Sequence, residues 1–422
     1  MCDTIWQKKD GYSIFLKNSD RAANEPNLCI FSPAGDARGE VQCTYIKIPD
    51  KNHRLAVFLV KPSWIWGAEI GINENGVSIG NEAVFTKTHA KKTESLIGMD
   101  FVRLGLERGT TAKNAAWEII NLLKEFGQGG NCGFDHEFYY DNSYLISDEN
   151  EAYILETAGR DYAIKQVKKR ANISNRLSLK TDFDESTIEG DFAKKFSASL
   201  YTFFSGSGKR MACAAEKLTN LEHYDLSDYF GILRQHTISQ QKCFEKGSVK
   251  SVCMHAGPLL GDHTTGSMVT IVKNNFISVW TTGSSSPCLS VFKPLIFDKS
   301  GNFIAPPVFL NEEDSLNYWL KREKLNRCIY AGFVDLDTWL TETKTLESEF
   351  IKNYETLLNE ETTNDEWHEF CIECSEKERK LIDKYADIID KVHTITRPKF
   401  WAKLTKKLGK NVFKKDLNER IK

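Results

Sequence analysis

The chain has 422 residues, 41% hydrophobic and 27% charged, with a formal net charge of −2. It is long enough to bury a large core, and its near-neutral balance gives no whole-chain case for nucleic-acid binding. No run of 18 apolar residues offers a membrane span, and Lys8, Lys9 and Asp10 interrupt the N-terminus before a secretory h-region can form. A cytoplasmic location is expected, where the eleven cysteines would be free thiols.

The first predicted element is a hairpin. Cys2 to Gln7 reads as a strand, Asp10-Gly11 as a tight two-residue turn, and Tyr12 to Leu16 as the returning strand. With that turn Lys9 faces Tyr12, and the register carries Cys2 opposite Ser19. Lys17, Asn18, Asp20 and Arg21 then land beside the N-terminus, bringing a cation, an amide and a carboxylate to the thiol. Removal of Met1 would leave Cys2 with both a thiol and a free α-amine. Their reference pKa values, about 8.5 and about 7.7–8.0, let the amine act as base for its own side chain.

Strands continue at Leu28 to Ser32, Val41 to Ile48 and Leu55 to Val60, and a second hairpin runs from Ala68 to Gly80 around Asn75-Gly76. It delivers Asn81 at a strand end. Two helices follow: residues 98–109, closed by Gly109, and a second capped by Thr110 or Thr111, whose apolar residues recur at helical spacing up to Phe126. Strands resume at Tyr144 to Ser147, Ala152 to Glu156, Tyr162 to Val167 and Ala171 to Ser174, the last running into Asn175. Residues 182–250 are mixed. Met268 to Lys273 and Phe276 to Thr281 flank an Asn274-Asn275 turn, and beyond Pro307 three acidic helices are predicted at 313–330, 335–359 and 364–394. Strands, a helix pair and strands again suit stacked antiparallel sheets flanked by helices, an α+β arrangement, and argue against a doubly wound parallel sheet.

Several segments together resemble the secernin family: Pro62-Ser-Trp-Ile-Trp-Gly-Ala-Glu-Ile-Gly71, Asn73-Glu-Asn-Gly-Val-Ser-Ile-Gly-Asn-Glu-Ala83, the helix at 98–109, Gln128-Gly-Gly-Asn131 and Tyr153-Ile-Leu-Glu-Thr157. Cys43 to Ile46 and Ser290 to Pro294 fit it too, so the resemblance covers most of residues 1–300. Secernins are similar to cysteine dipeptidases of the N-terminal nucleophile (Ntn) hydrolase superfamily. The resemblance implies a four-layer αββα Ntn-hydrolase sandwich with a helical C-terminal extension. Together with the change to acidic helices beyond Pro307 and the basic run from Arg397, it divides the chain into an Ntn domain at 1–307, the extension at 308–396 and a basic amphipathic tail at 397–422. It also implies roles: Cys2 as nucleophile, Asp20 as the carboxylate orienting the α-amine, Asn81 as oxyanion-hole amide and Asn175 as a second substrate-site amide. Lys17 stands where the related acylases carry Arg, keeping the charge but losing the planar fork. No cofactor and no metal are implied.

Other constellations favour packing. His368, Cys371 and Cys374 sit on the third C-terminal helix, both cysteines on its apolar stripe and without a second Cys pair. His255 and His263 near Cys253 lack a papain-like context and read as structural or substrate-lining. Trp64 and Trp66 read as core, and Gly127 to Gly130 as a loop without the Lys-Ser/Thr of a phosphate cradle.

From Arg397 onward ten Lys or Arg face only Asp416 and Glu419, so the tail carries net +8 and the rest of the chain −10. Trp401, Leu404, Leu408 and Val412 share one helical face there. That face can dock on the acidic body of its own chain, or lie on an anionic membrane or a partner. Two functions compete: a cysteine dipeptidase or related amide hydrolase acting on small peptides, with N-acyl amidase or acyltransferase variants, and a non-hydrolytic secernin-like interaction protein in secretion. The sequence leaves the oligomeric state open.

Overall fold

Alternation along the strands decides how the layers stack. In β1 (Asp3–Lys9) Trp6 joins one apolar cluster and Ile5 another; in β2 (Tyr12–Ala22) Phe15 and its neighbours Ile14 and Leu16 divide in the same way. Successive side chains of a strand point to opposite faces, so a sheet whose strands feed two clusters is covered on both sides. The computed structural model describes residues 2–50, 53–88, 92–198, 206–208, 210–212, 225–258, 261–298, 300–410 and 412–413.

Two antiparallel sheets form the centre. The first pairs β1 and β2 with β12 (Arg170–Ser174) on one side and β14 (Asp262–Lys273), β15 (Phe276–Thr281), β16 (Lys293–Phe297) and β17 (Phe303–Ile304) on the other, in the order β12-β1-β2-β14-β15-β16-β17. The second runs β13-β11-β10-β9-β8-β7-β6-β3. Its strands are β3 (Asn27–Ser32), β6 (Val57–Pro62), β7 (Ile70–Asn73), β8 (Ser78–Val84), β9 (Asp141–Ser147), β10 (Ala152–Ala158), β11 (Asp161–Val167) and β13 (Glu185–Ser186). Trp6, Phe15, Met268 and Val279 of the first sheet meet Phe58, Val60, Ile72 and Leu145 of the second in a shared core.

The second sheet's other face, with Val57, Leu59, Ile79 and Ile146, packs on α1 (Gly98–Arg108) and α2 (Ala112–Phe126) through Leu104, Ile119 and Leu123. The first sheet's other face, with Ile5, Leu16, Val269 and Trp280, packs on α4 (Leu226–Leu233) and on the long α7 (Leu336–Leu358) and α8 (Asn364–Asp383). The result is a four-layer αββα sandwich, with the helices beyond residue 307 closing one of its outer faces.

The hairpin register agrees with the sequence reading. Lys9 pairs with Tyr12 and Asp3 with Asn18, which sets Cys2 level with Ser19. Gly11 and Gly76 take the positive φ that these turns require, 80° and 78°. Asn81 is not at a strand end but in the middle of β8, because the ladder with β9 continues to Val84 and Asp141. Two further elements differ from expectation. Val41 to Ile48 is not one strand but a hairpin, β4 (Gly39–Gln42) and β5 (Lys47–Asp50), because Thr44 donates its hydroxyl (2.6 Å) and its N–H (3.3 Å) to the Asp100 carboxylate and turns the chain there. The helix expected at 364–394 ends at Asp383: Tyr385 leaves helical geometry to pack its ring on Trp339 and bond Glu342, and α9 (Ala386–Ile389) follows.

Among the described residues of the basic tail only α10 (Lys399–Thr405) is helical. Trp401 is fully buried, Val412 buried, and Leu404 and Leu408 half-buried against the protein's own surface. Trp401 Nε1 donates to Phe244 O at 2.8 Å and its ring lies under the Arg327 guanidinium at 4.1 Å. Residues 414–422 of the expected tail lie outside the described residues.

Candidate active site

Cys2 stands just ahead of β1, between β12 and β2, and is 4% exposed. Its backbone N donates to Asn175 Oδ1 at 2.8 Å, and its carbonyl accepts from Ser174 Oγ at 3.2 Å, so the end of β12 grips the residue from one side. From the other side the Asp20 N–H points at the sulfur, 3.3 Å away. Glu69 Oε2 lies 4.0 Å from Sγ. The thiol opens on a small cleft of about 50 Å³ lined by Asp20, Arg21, Glu69, Asn81 and Tyr140 among others. A much larger cavity, about 680 Å³ and lined by Tyr12, Phe276, Tyr354 and Trp367, sits at the hairpin-turn end of the sheet. At ~3.3 Å per residue along β1, it is roughly 20 Å from the thiol.

Three of the five residues singled out from sequence, Cys2, Asp20 and Asn81, share this cleft, and the other two stand behind it. Lys17 is fully buried, with Nζ on the carbonyl of Asn81 (2.8 Å) and the carboxylate of Glu82 (3.2 Å). Its stem fits only because residue 80 is glycine: a Cβ there would lie 2.6 Å from Lys17 Cδ. Asn175 has its Nδ2 on Ala83 O and its Oδ1 shared between Cys2 N and Arg210, which also pairs with the buried Asp3 at 2.7 Å. Asn175 therefore touches the nitrogen of Cys2, where the resemblance would make it a substrate amide.

Asn81 belongs to a relay whose direction is fixed by a backbone carbonyl. Gln128 Nε2 must donate to Gly159 O (2.8 Å), so its Oε1 accepts from Asn142 Nδ2 (3.0 Å), and Asn142 Oδ1 accepts from Asn81 Nδ2 (3.1 Å). That uses one N–H of Asn81. The other faces Met99 Sδ at 3.6 Å, a weak acceptor that a stronger one can replace. Gly98 makes room for the relay, since a Cβ there would fall 1.9 Å from Asn142 Oδ1.

Burial dominates the electrostatics. It pushes the Cys2 thiol up to about 12, against the pull of Lys17 and with a further push from Glu69. The resting side chain is therefore a thiol, and any reaction through it would need a base. Burial also raises the Asp20 carboxyl to about 7, while the Thr264 hydroxyl, donating to Oδ1 at 2.6 Å, holds it down.

No family model matches the chain. Among solved structures it is similar to a mutant conjugated bile acid hydrolase from Clostridium perfringens, with 14% identity over 74% of this chain and 98% of that one and a TM-score of 0.41. It is also similar to the N-acylethanolamine-hydrolyzing acid amidase ortholog of Caenorhabditis elegans (12%, 64% and 92%, TM-score 0.34). A third is penicillin V acylase from Agrobacterium tumefaciens (9%, 71% and 91%, TM-score 0.40).

Several residues around the thiol were given no site role from sequence, although the hairpin register already put Arg21 beside it. Arg21 bridges Glu69 (3.0 Å) and Glu25 (2.6 Å), and Trp64 donates to the same Glu25 oxygen at 2.7 Å. Arg210 lies in the mixed segment, and Thr264 enters from β14. The Gln128-Gly-Gly-Asn131 loop, notable in sequence only for its resemblance, supplies the anchor of the Asn81 relay. Cys371 and Cys374 are buried in the apolar cluster under α8 and His368 is exposed, in line with packing. No helix among the described residues is long and apolar enough to cross a membrane.

Proposed function

We propose that this chain is an N-terminal nucleophile hydrolase that cleaves small amides, most simply dipeptides, through Cys2. The observation that carries the reading is the grip on Cys2: its nitrogen held by Asn175 and its sulfur under the Asp20 N–H, at the mouth of a cleft shared with Asn81. Once whatever precedes Cys2 is removed, that nitrogen is an amine one residue from its own thiol. Sγ attacks the substrate carbonyl carbon and its proton passes to the α-amine. The oxyanion takes the second Nδ2–H of Asn81 in place of Met99, and collapse expels the leaving amine with the proton. Water then releases the acyl group by the same route.

The secernin resemblance of residues 1–300 supports the reading and points to peptides. So does the cleft's charge: Asp20, Glu25, Glu69, Asp135 and Asp262 line it against the single guanidinium of Arg21. A field of that sign favours a substrate carrying a free ammonium group over an N-acylated one. The test is a library of dipeptides with free and acetylated N-termini, run on protein whose first residue is verified as Cys2, with iodoacetamide labelling mapped by mass. The expected result is hydrolysis of free-amine dipeptides and stoichiometric, substrate-protected alkylation of Cys2. Full activity in Cys2→Ala would overturn it in favour of a nucleophile elsewhere in the chain, and no turnover and no protection by any member of the library would overturn it in favour of the interaction-protein reading.

A further inference from the structure

Away from the cleft, four side chains converge on one point. His236 follows α4, Cys253 and His255 sit in the segment leading to β14, and Cys288 lies in the 3-10 turn Pro287–Leu289. Their ligand atoms all fall within 4.8 Å of one another. His255 Nε2 is 3.2 Å from His236 Nε2, 3.4 Å from Cys253 Sγ and 3.4 Å from Cys288 Sγ. One imidazole nitrogen has a single proton or a single lone pair, so it can satisfy only one of three neighbours. Three partners around one nitrogen, at those separations, match the edges of a coordination tetrahedron. With Zn–N near 2.0–2.1 Å and Zn–S near 2.3 Å, neighbouring ligand atoms are about 3.3–3.8 Å apart.

We propose that His236, Cys253, His255 and Cys288 form a structural zinc site. The donor set is Cys2His2 with four protein ligands, the closed tetrahedral composition that selects zinc over harder cations. On binding, the two thiol protons leave to solvent and two thiolates and two neutral imidazoles remain on the ion, which brings the site to net zero charge. Cys253 and His255 are fully buried while His236 and Cys288 are half-buried, so the ion can enter from the side those two occupy.

The ligands are built in rather than loosely hung. Arg234 donates to the carbonyls of Pro287 and Ser290 (both 2.8 Å) on either side of Cys288, and Glu347 holds that guanidinium in turn. Cys253 N–H donates to Gln235 O at 3.1 Å, next to His236. Ser286, with a positive φ of 54°, turns the chain into the Cys288 segment, a conformation that a non-glycine residue holds only when its surroundings impose it.

The site's place in the fold gives it a purpose. Two of its three ligand-bearing segments clamp Thr264 from both sides: Met254, between Cys253 and His255, donates to Thr264 Oγ1 (2.9 Å) and accepts from Thr264 N (3.0 Å), while Ser286 N donates to Thr264 O (2.9 Å). That same Thr264 hydroxyl bonds Asp20 beside the nucleophile. The ion would staple segments 33 residues apart and hold the threonine that orients Asp20. This inference stands whether or not the chain proves to be a hydrolase.

The experiment measures metal on the full-length protein, purified with its thiols reduced and passed over a desalting column after brief EDTA exposure. One zinc per chain is expected by elemental mass spectrometry. Exchange of that ion for Co2+ should give thiolate-to-cobalt charge-transfer absorption and the intense visible bands of tetrahedral cobalt. His236→Ala, at a half-buried position, should weaken metal retention at least tenfold with the fold intact by circular dichroism. Cys371→Ser should leave stoichiometry and spectrum unchanged. Reduced wild-type protein that takes up neither Zn2+ nor Co2+, a cobalt spectrum without thiolate bands, or a Cys253–Cys288 disulfide in protein alkylated at lysis would each overturn the proposal.

Discussion

Asn81 and Asp20 flank the same thiol but are held by different partners, and this separates their expected kinetic signatures. Loss of one oxyanion donor typically costs about a hundred- to thousandfold in turnover. Asn81→Ala is therefore expected to lower kcat by that factor with KM nearly unchanged, as read from saturation kinetics on the best dipeptide. Asp20 is expected to appear in the pH profile. Burial raises its carboxyl to about 7, so kcat/KM should climb as pH rises through about 7, and Asp20→Asn should lose that limb as well as height. Stability carries the opposite sign. Between the ordinary value of 3.8 and about 7 the folded state keeps a proton that the unfolded chain has released, so this group costs stability as pH rises through that window. Urea melts at pH 5 and pH 8 should show wild type losing stability relative to Asp20→Asn. Equal shifts in both proteins would contradict the buried-carboxyl assignment.

At the scale of elements, the N-terminal hairpin was legible because its determinants are local: Asp10-Gly11 fixes the turn, and the turn fixes Cys2 level with Ser19. Asn81 was read as the end of a strand set by Asn75-Gly76, whereas β8 runs on to Val84 and holds Asn81 in its middle, paired with Tyr144 of β9. What sequence patterns did not reveal are partners that arrive across long separations. Asn175 meets Cys2 N over 173 residues and Thr264 meets Asp20 over 244, and no periodicity encodes such pairings. Val41 to Ile48 misled because a run of β-formers does not announce a turn made by an Asp100 carboxylate 56 residues away. The start of α1 offers a test of the relay. Gly98→Ala would drive a methyl into the Asn142 amide and pull Asn81 off its line. A fall of at least tenfold in kcat is expected, together with a loss of about 1–3 kcal/mol, the usual cost of overpacking. Unchanged kcat in a folded Gly98→Ala protein would mean that the relay does not position Asn81.

Across the whole molecule, helices from the C-terminal part serve as the fourth layer, and the basic tail lies on the chain's own body. Trp401 is buried to 0% under Arg327, so Trp401→Ala should cost about 3–5 kcal/mol in a urea melt, the usual range for a buried tryptophan. A change below 1 kcal/mol would mean that the tail is not docked in solution. The topology has a further consequence, for the order of events during synthesis. Cys2 leaves the ribosome well before the strands that enclose it, since Asp3 pairs with Ser174 and Asn18 with Ser267. At ~5–20 residues per second, the strands that enclose the thiol follow it by roughly 10–50 s. In that interval whatever precedes Cys2 is open to a processing peptidase; after the sheet closes, Cys2 itself is buried. Under the proposed function, exposure of the Cys2 amine is then a race between translation and trimming, and chains made faster than they are trimmed would fold with the amine still capped.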